Sequence, residues 1–370
     1  MNNFVRKYAL MFIFSGSLAK IQLDPGCAVD IPGFCYSYSF APNPDFTQMF
    51  PSQAEILQYL SIVAKRYRVD QHFRGGVEWI GATWQEDTHT WIVTLKDIQQ
   101  GRVFTQECQV LISAVGGLVN PQETSIAGAE RFRGEIIHTA RWKSSIDLKN
   151  KHVAVIGNGA SASQVIPAII GETSSVTQFM RSPHHIVEAS NHQISLEWRS
   201  LFRRIPIFLY LIRLFLFLYM EVTWFLFQNN RLAKIGRNSV ENSSRKNSMR
   251  LTADPIAEIK SKSIVTCSGE EVYADVILLA TGFALTHYDV DLRGRNGKTR
   301  KEHWNEYGHK ATYKSVAMHG FPNFFYILGP NSGRLHTSTI QIIERRRQRG
   351  AHGDANYQTH PPPPSLFSGS

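Results

Sequence analysis

The sequence predicts an α/β protein with parallel sheets. Three observations predict it. The stretch Lys151–Ala162, KHVAVIGNGASA, reads as a buried strand, a glycine turn and the start of a helix. A second apolar strand, Ser175–Met180, follows one helix later. Two further apolar runs, Cys108–Ala114 and Asp275–Leu279, each run into a glycine turn, Val115-Gly116-Gly117 and Ala280-Thr281-Gly282. The Gly116 turn, at a strand's carboxyl end, lies where open α/β sheets meet ligands, with a plain turn as an equal alternative.

The central unit carries the most chemistry. Gly157 permits the tight turn after the strand His152–Ile156, Gly159 lets backbone approach a pyrophosphate, and Ala162 lets helix and strand pack closely. Free N–H groups at the start of the helix, read as Ser161–Ile170, face the phosphates. Gly157, Asn158, Gly159, Ala160, Ser161 and Ala162 are therefore the candidate dinucleotide-binding residues. Arg181 ends the next strand, where an NAD site usually places an acid. An arginine there pairs with a 2′-phosphate, which favours NADP. The plainer reading is a surface arginine on an unrelated βαβ unit.

Length and composition describe about two globular domains, with 370 residues, 43% hydrophobic and 19% charged. The net charge is +10, yet no cationic run with interleaved aromatics points to nucleic acid. The cysteines, Cys27, Cys35, Cys108 and Cys267, form no close pair, so neither a Cys-x-x-Cys redox site nor a zinc site is expected. No metal is expected, and a reducing, cytoplasmic compartment is the default. Arg6 and Lys7 precede an apolar run, Tyr8–Phe14, with Ser17-Leu18-Ala19 beyond. That pattern fits a secretory leader. The preferred reading is a start fused onto an internal segment.

In chain order, Asp24–Phe40 is rich in turn residues and aromatics and reads as a packed loop. Asp30 lies in it between Val29 and Ile31, and an acid in apolar company is either paired or raised in pKa; a turn-capping role is the plainer reading. Ser52 caps a helix through Arg66, with Glu55 completing a capping box. Gly76–Thr83, Thr90–Lys96 and Cys108–Ala114 read as an antiparallel meander followed by a buried strand. Ile205–Phe227 is almost wholly apolar and has the length of a membrane span, but it holds Arg213 and Glu221. Helices burying a face against the nucleotide domain or its substrate channel are expected, with contact to a membrane surface as the alternative. Arg231–Arg250 reads as a loop, Ile256–Thr266 and Glu271–Leu279 as strands about a turn, and Phe324–Leu328 as a short strand.

Phe132, Gly134, His138 and Trp142 form Phe-x-Gly-x-x-x-His-x-x-x-Trp just before the central glycine turn. This resembles the fingerprint of Baeyer–Villiger monooxygenases among flavin-dependent monooxygenases, here of a fungal type. The likeness covers roughly residues 24–344. It implies two Rossmann-like dinucleotide-binding domains, with the FAD domain split and incomplete and the NADP domain inserted. The implied division is an unmatched segment 1–23, a first FAD part 24–120, an NADP domain 121–270 carrying the apolar insert 205–227, a second FAD part 271–344, and a disordered basic, proline-rich tail 345–370.

The resemblance also implies FAD and NADP as cofactors, and a small apolar ketone and O2 as reactants giving an ester or lactone. It places Val29, Asp30, Tyr36, Gly116, Ala280, Thr281 and Gly282 at the cofactors. Asp30 is the catalytic candidate, matching the acid beside the family's arginine, for which Arg237 is the nearest but poorly matched position. His138 is implied to connect the two nucleotide domains.

Departures from the pattern are Lys143 after Trp142 and the lack of a Gly-x-Gly-x-x-Gly turn before Asp24. The chain therefore reads as truncated at its start and altered at its end. Rival readings are N- or S-oxygenation, whose enzymes usually carry Tyr or Phe at Trp142, and an inactive NADP-binding fragment. A pyridine-nucleotide disulfide oxidoreductase is disfavoured by the cysteine spacing. The oligomeric state is not readable.

Overall fold

The computed structural model describes residues 10–13, 25–116, 120–182, 191–227, 249–284, 290–332 and 340. Strand β1 (Leu10–Ile13) comes first, so the segment expected to match nothing supplies a strand. Helix α1 (Gln53–Arg66) follows, its Ser52 side chain accepting the Glu55 N–H at 3.4 Å. Only half of the expected capping box forms. The Glu55 carboxylate turns instead to Thr47, accepting from its N–H at 3.0 Å and from its hydroxyl.

Strands β2 (Val77–Gln85), β3 (Thr90–Asp97) and β4 (Val103–Cys108) form the antiparallel meander. Its inner face buries Trp79, Trp84, Trp91 and Val93. The predicted strand Cys108–Ala114 is divided. Cys108 ends β4 opposite Trp91, and β5 (Val110–Ser113) leaves for a different sheet. A run of apolar residues carries no mark of such a change of sheet.

The second region holds β6 (Glu135–His138), β7 (His152–Ile156), α2 (Ala160–Ile169) and β8 (Ser175–Phe179). Helices α3 (Leu196–Arg204) and α4 (Pro206–Phe227) and strand β9 (Met249–Thr252) come next. Strand β9 uses Met249 and Arg250, so the end of the stretch read as loop is sheet. The predicted Ile256–Thr266 strand is a hairpin, β10 (Ile256–Ile259) and β11 (Ser263–Thr266). The predicted Glu271–Leu279 strand is β12 (Glu271–Tyr273) and β13 (Val276–Leu279), in separate sheets. At the crossing Asp275 accepts from the His152 N–H at 2.9 Å and the Tyr273 hydroxyl at 2.8 Å. Burial pushes its carboxyl up, but those two donors and the Lys151 charge hold it below the usual range. Strand β14 (Asp291–Arg293), helix α5 (Arg300–Glu306) and strand β15 (Phe324–Tyr326) complete the described chain.

Two parallel sheets organise the molecule. One has the order β6-β13-β7-β8-β9, the other β1-β5-β15. The five-stranded sheet is apolar on both faces, as parallel sheets require. Val155 and Leu278 face the α2 side with Ala162, Val165 and Ile169. Ala154 and Ile277 face the opposite side, where Ile259 and Ile264 of the β10–β11 hairpin pack. Strand β14 joins the meander parallel to β2. This architecture is the predicted α/β class.

The apolar insert departs from expectation. Helix α4 buries Leu209 against Phe34 and Phe202, on the loop before α1 and on α3, and not on the nucleotide sheet. Arg213 dictates this. It is 9% exposed and donates to the Ser37 carbonyl at 2.9 Å, the Ser37 hydroxyl at 2.8 Å and the Tyr38 carbonyl at 3.2 Å. A buried guanidinium needs acceptors, and this irregular loop supplies them.

Candidate functional site

The glycine turn sits at the carboxyl end of the five-stranded sheet. Gly157 has φ +118°, and a Cβ there would lie 2.3 Å from the Ala280 carbonyl oxygen. Its N–H donates to Phe179 O at 2.9 Å, and its carbonyl accepts from the Gln178 amide at 2.9 Å. Only glycine fits between the two strand ends. Gly159 is the N-cap of α2 with no side-chain cap, and a Cβ there would meet nothing within 4 Å. Ala160 and Ser161 open the helix, so their N–H groups have no partner within it, as an incoming phosphate requires. Ala162 is fully buried under the sheet, as its predicted packing role demands.

Arg181 is exposed just beyond β8. The Asn158 amide donates to the Ser182 carbonyl at 2.5 Å, which ties the Arg181 loop to the glycine turn. These residues fit a dinucleotide with a phosphorylated ribose: open donors for the diphosphate, and a cation tethered alongside.

The fingerprint residues hold the sheet ends together. His138 Nδ1 accepts the Ala140 N–H at 3.0 Å, so Nε2 carries the proton and donates to Gly282 O at 3.1 Å. The Gly282 carbonyl also accepts the Gln122 N–H at 2.8 Å, and the Thr281 hydroxyl donates to Gln122 O at 3.1 Å. Gly134 lies where a Cβ would be 2.1 Å from Asp275 O. Phe132 and Trp142 pack on opposite faces of the sheet. His138 connects the end of β6 to the Ala280–Gly282 turn after β13, its neighbour in the same sheet.

Burial pushes the His138 pKa down, the Gly282 contact pushes it up, and Arg141 pushes it down again, leaving it below the ordinary value. Burial likewise lowers His303. A depressed histidine gives stability that is complete above its unfolded pKa and lost as pH falls through the folded value. Charging His138 would also turn Nδ1 into a donor facing the Ala140 N–H. Thermal melts are therefore expected to drop as pH falls below about 6.5. A His138→Asn variant is expected to melt lower at neutral pH and to show a shallower acid decline.

The other predicted residues fall less tightly. Gly116, φ +73° with open space around it, ends β5 in the three-stranded sheet. Val29 and Tyr36 pack into one cluster with Phe46, Ile56 and Tyr59. Asp30 is exposed and, among the described residues, in no ion pair, so apolar sequence neighbours did not mean burial. Its loop nevertheless touches the nucleotide region. The Gln164 amide of α2 donates to Ala28 O at 2.9 Å, and a Cβ at Gly26 would lie 2.5 Å from Gln164 O. On its other side the loop meets the start of α1, through Gln53 N–H to Cys27 O at 3.0 Å and Val29 N–H to Pro51 O at 3.2 Å.

Gly117, Arg237 and the segment beyond Ser332 lie outside the described residues, apart from Ile340. Among the described residues no acid, histidine and cysteine cluster suits a metal. A cleft of about 430 Å³ opens beside β6 and β13, lined by Gln122, Glu123, His138, Arg141 and Lys143 among others. Of these, the sequence reading had not singled out Gln122, Glu123 or Arg141. The cations flanking Trp142 were the available signal.

Comparison with known proteins gives the family and the fold. Residues 38–198 match the family described as L-lysine 6-monooxygenase/L-ornithine 5-monooxygenase. A Baeyer–Villiger monooxygenase of Streptomyces coelicolor is 31% identical over 358 residues, spanning 86% of this chain and 67% of the relative. One from Pseudomonas aeruginosa is 31% identical over 369 residues, spanning 89% and 68%. The chain thus spans about two thirds of these relatives. The solved cyclohexanone monooxygenase from Rhodococcus sp. Phi1, bound to NADP+, superposes with a TM-score of 0.74 at 24% identity, covering 92% of this chain and 78% of that one. At that identity the likeness establishes the fold.

Proposed function

The chain belongs to the Baeyer–Villiger monooxygenase family of flavin-dependent monooxygenases, and from that premise we propose an FAD- and NADPH-dependent enzyme that inserts one oxygen atom of O2 into a small apolar ketone. The product is an ester or lactone. The observation that carries the cofactor part is the open glycine turn of Gly157–Ala162 with Arg181 tethered beside it.

FAD, where bound, would supply the activation of O2, and NADPH the electrons for it. The N–H groups of Ala160 and Ser161 would hold the NADP diphosphate, and Gly159 leaves it room. Arg181 would pair with the 2′-phosphate. His138 and the Ala280–Gly282 turn keep the ends of β6, β13 and β7 in register beneath it. Toward FAD, the described residues offer Gly116 and the Ala280–Gly282 turn but no glycine-rich turn for the diphosphate. By the resemblance, Asp30 would hold the family's arginine in place.

Arg181→Ala is expected to weaken NADPH binding by about 1–3 kcal/mol, for a lost charge-assisted contact, and to leave NADH nearly unchanged. Fluorescence titration of both nucleotides checks this, and equal losses would refute the assignment. The reaction is tested by incubating purified protein with NADPH and cyclic and aromatic ketones, reading ester formation by mass spectrometry.

The match of residues 38–198 to lysine and ornithine monooxygenases favours amine oxygenation as a second reading. Trp142 favours the ketone. A diamine panel beside the ketones separates them. A colourless preparation that still binds NADPH would instead support an inactive NADP-binding protein.

A further inference from the structure

Gln178 is out of keeping with its strand. Strand β8 lies between β7 and β9 in a parallel sheet covered on both faces, and strands so placed are usually near-continuous apolar runs. Yet Gln178 is 5% exposed, opposite Val155 of β7. Val176, two residues earlier, packs on the α2 side of the sheet. At the strand period Gln178 faces the same side, nearer the glycine turn.

Burying an amide costs free energy unless it is hydrogen-bonded. Gln178 Nε2 donates to the Gly157 carbonyl at 2.9 Å, and no other donor among the described residues reaches that oxygen. Strand β8 thus grips Gly157 at both ends, since Phe179 O accepts its N–H at 2.9 Å. Only the Gln178 bond is made by a side chain, so substitution can remove it alone.

The Gly157–Asn158 peptide is trans. A planar trans peptide sets its C=O and its N–H on opposite sides. With the carbonyl turned onto Gln178, the Asn158 N–H is turned away from it, and that N–H has no acceptor among the described residues.

We infer that Gln178 is a positioning residue of the nucleotide site: by holding the Gly157 carbonyl it presents the Asn158 N–H to the dinucleotide's diphosphate, as a third donor beside Ala160 and Ser161. The inference rests on the nucleotide reading of the Gly157–Ala162 turn. It adds a residue that acts through the backbone and touches no ligand.

The diphosphate is common to NAD+ and NADP+, whereas Arg181 serves only the phosphorylated ribose. Gln178→Met, similar in length but without a donor, is therefore expected to weaken both nucleotides equally, by about five- to tenfold. Gln178→Glu tests the mechanism. Its carboxylate cannot donate to a carbonyl, but its protonated form can. At pH about 9 it is expected to bind NAD+ no better than Gln178→Met. As pH falls to about 6.5 the buried carboxyl takes up a proton, and affinity is expected to rise above the Gln178→Met level toward that of the unmodified chain. Relief of charge repulsion alone would stop at the Gln178→Met level.

Calorimetric titration with NAD+ and NADP+ measures these affinities, with urea midpoints to show that the variants fold. Unchanged affinity in a folded Gln178→Met would overturn the inference and leave nucleotide binding standing. A Gln178→Glu affinity that never exceeds the Gln178→Met level would do the same. Binding of neither nucleotide by the unmodified chain would overturn the nucleotide reading, and this inference with it. If either variant does not fold, amide exchange at Asn158 in the unmodified chain decides. It is expected to slow by at least about fivefold with NAD+ bound, and an unchanged rate would overturn the inference.

Discussion

Gly157→Ala is expected to destabilise the protein by about 2–4 kcal/mol and to reduce NADPH affinity by at least about tenfold. The cause is double. The residue sits at φ +118°, a region side chains rarely enter, and its Cβ would press on the Ala280 carbonyl at 2.3 Å. That oxygen is backbone, held by the β13–β7 ladder, so neither side yields easily. Gly159→Ala is the informative contrast. Its backbone, φ −77° and ψ −168°, suits alanine, and the new methyl meets no atom within 4 Å. Stability is expected to change by less than about 1 kcal/mol. NADPH affinity is expected to fall like that of Gly157→Ala, because the methyl fills the space meant for phosphate. Urea denaturation and nucleotide titration on both variants check the pair. Unchanged binding in Gly159→Ala would remove the turn from the cofactor site.

Arg213→Leu is expected to cost about 2–4 kcal/mol, although it makes an apolar helix more apolar. The guanidinium donates to three oxygens of Ser37 and Tyr38 inside the protein. Leucine leaves the Ser37 carbonyl against hydrocarbon. Leu214→Ala, one residue on but exposed, is expected to change stability by under about 1 kcal/mol. Denaturant midpoints of the two variants give the comparison. A smaller loss for Arg213→Leu than for Leu214→Ala would mean that α4 is held by something other than this contact. Cys35, whose thiol burial pushes up to about 11, lies in the same region, where Arg213 lowers it in part, and is expected to resist alkylation until α4 is displaced.

The parallel sheets were readable because buried strands and glycine turns leave local marks. Val153–Ile156 and Val276–Leu279 are apolar throughout, and Gly157 and Gly282 each close a strand. What stayed hidden depends on partners distant in sequence. Leu10–Ile13 gave no strand signal of its own, because its strand partner is the distant Val110–Ser113. Met249–Thr252 sat in polar, basic surroundings and pairs with β8 some seventy residues earlier. Asp275 marks a change of sheet that apolar runs on both sides conceal.

The candidate site was legible where backbone geometry alone constrains the residue, as at Gly157 and Gly134. It was not legible at Asp30, whose exposure follows from how its loop folds back over α2. Arg213 showed the opposite failure. A charge in an apolar run pointed to burial, but not to the loop that would receive it.

That loop has a mechanical consequence. Cys27 and Val29 fasten it to the start of α1, while Gly26 and Ala28 fasten it to Gln164, one turn into the nucleotide helix. It acts as a clasp between the two halves of the molecule. A swivel of one half against the other must unfasten one row of contacts or the other. The approach at Gly26 is close, since a Cβ there would lie 2.5 Å from Gln164 O. Asp30 sits between the two rows, so its position depends on both.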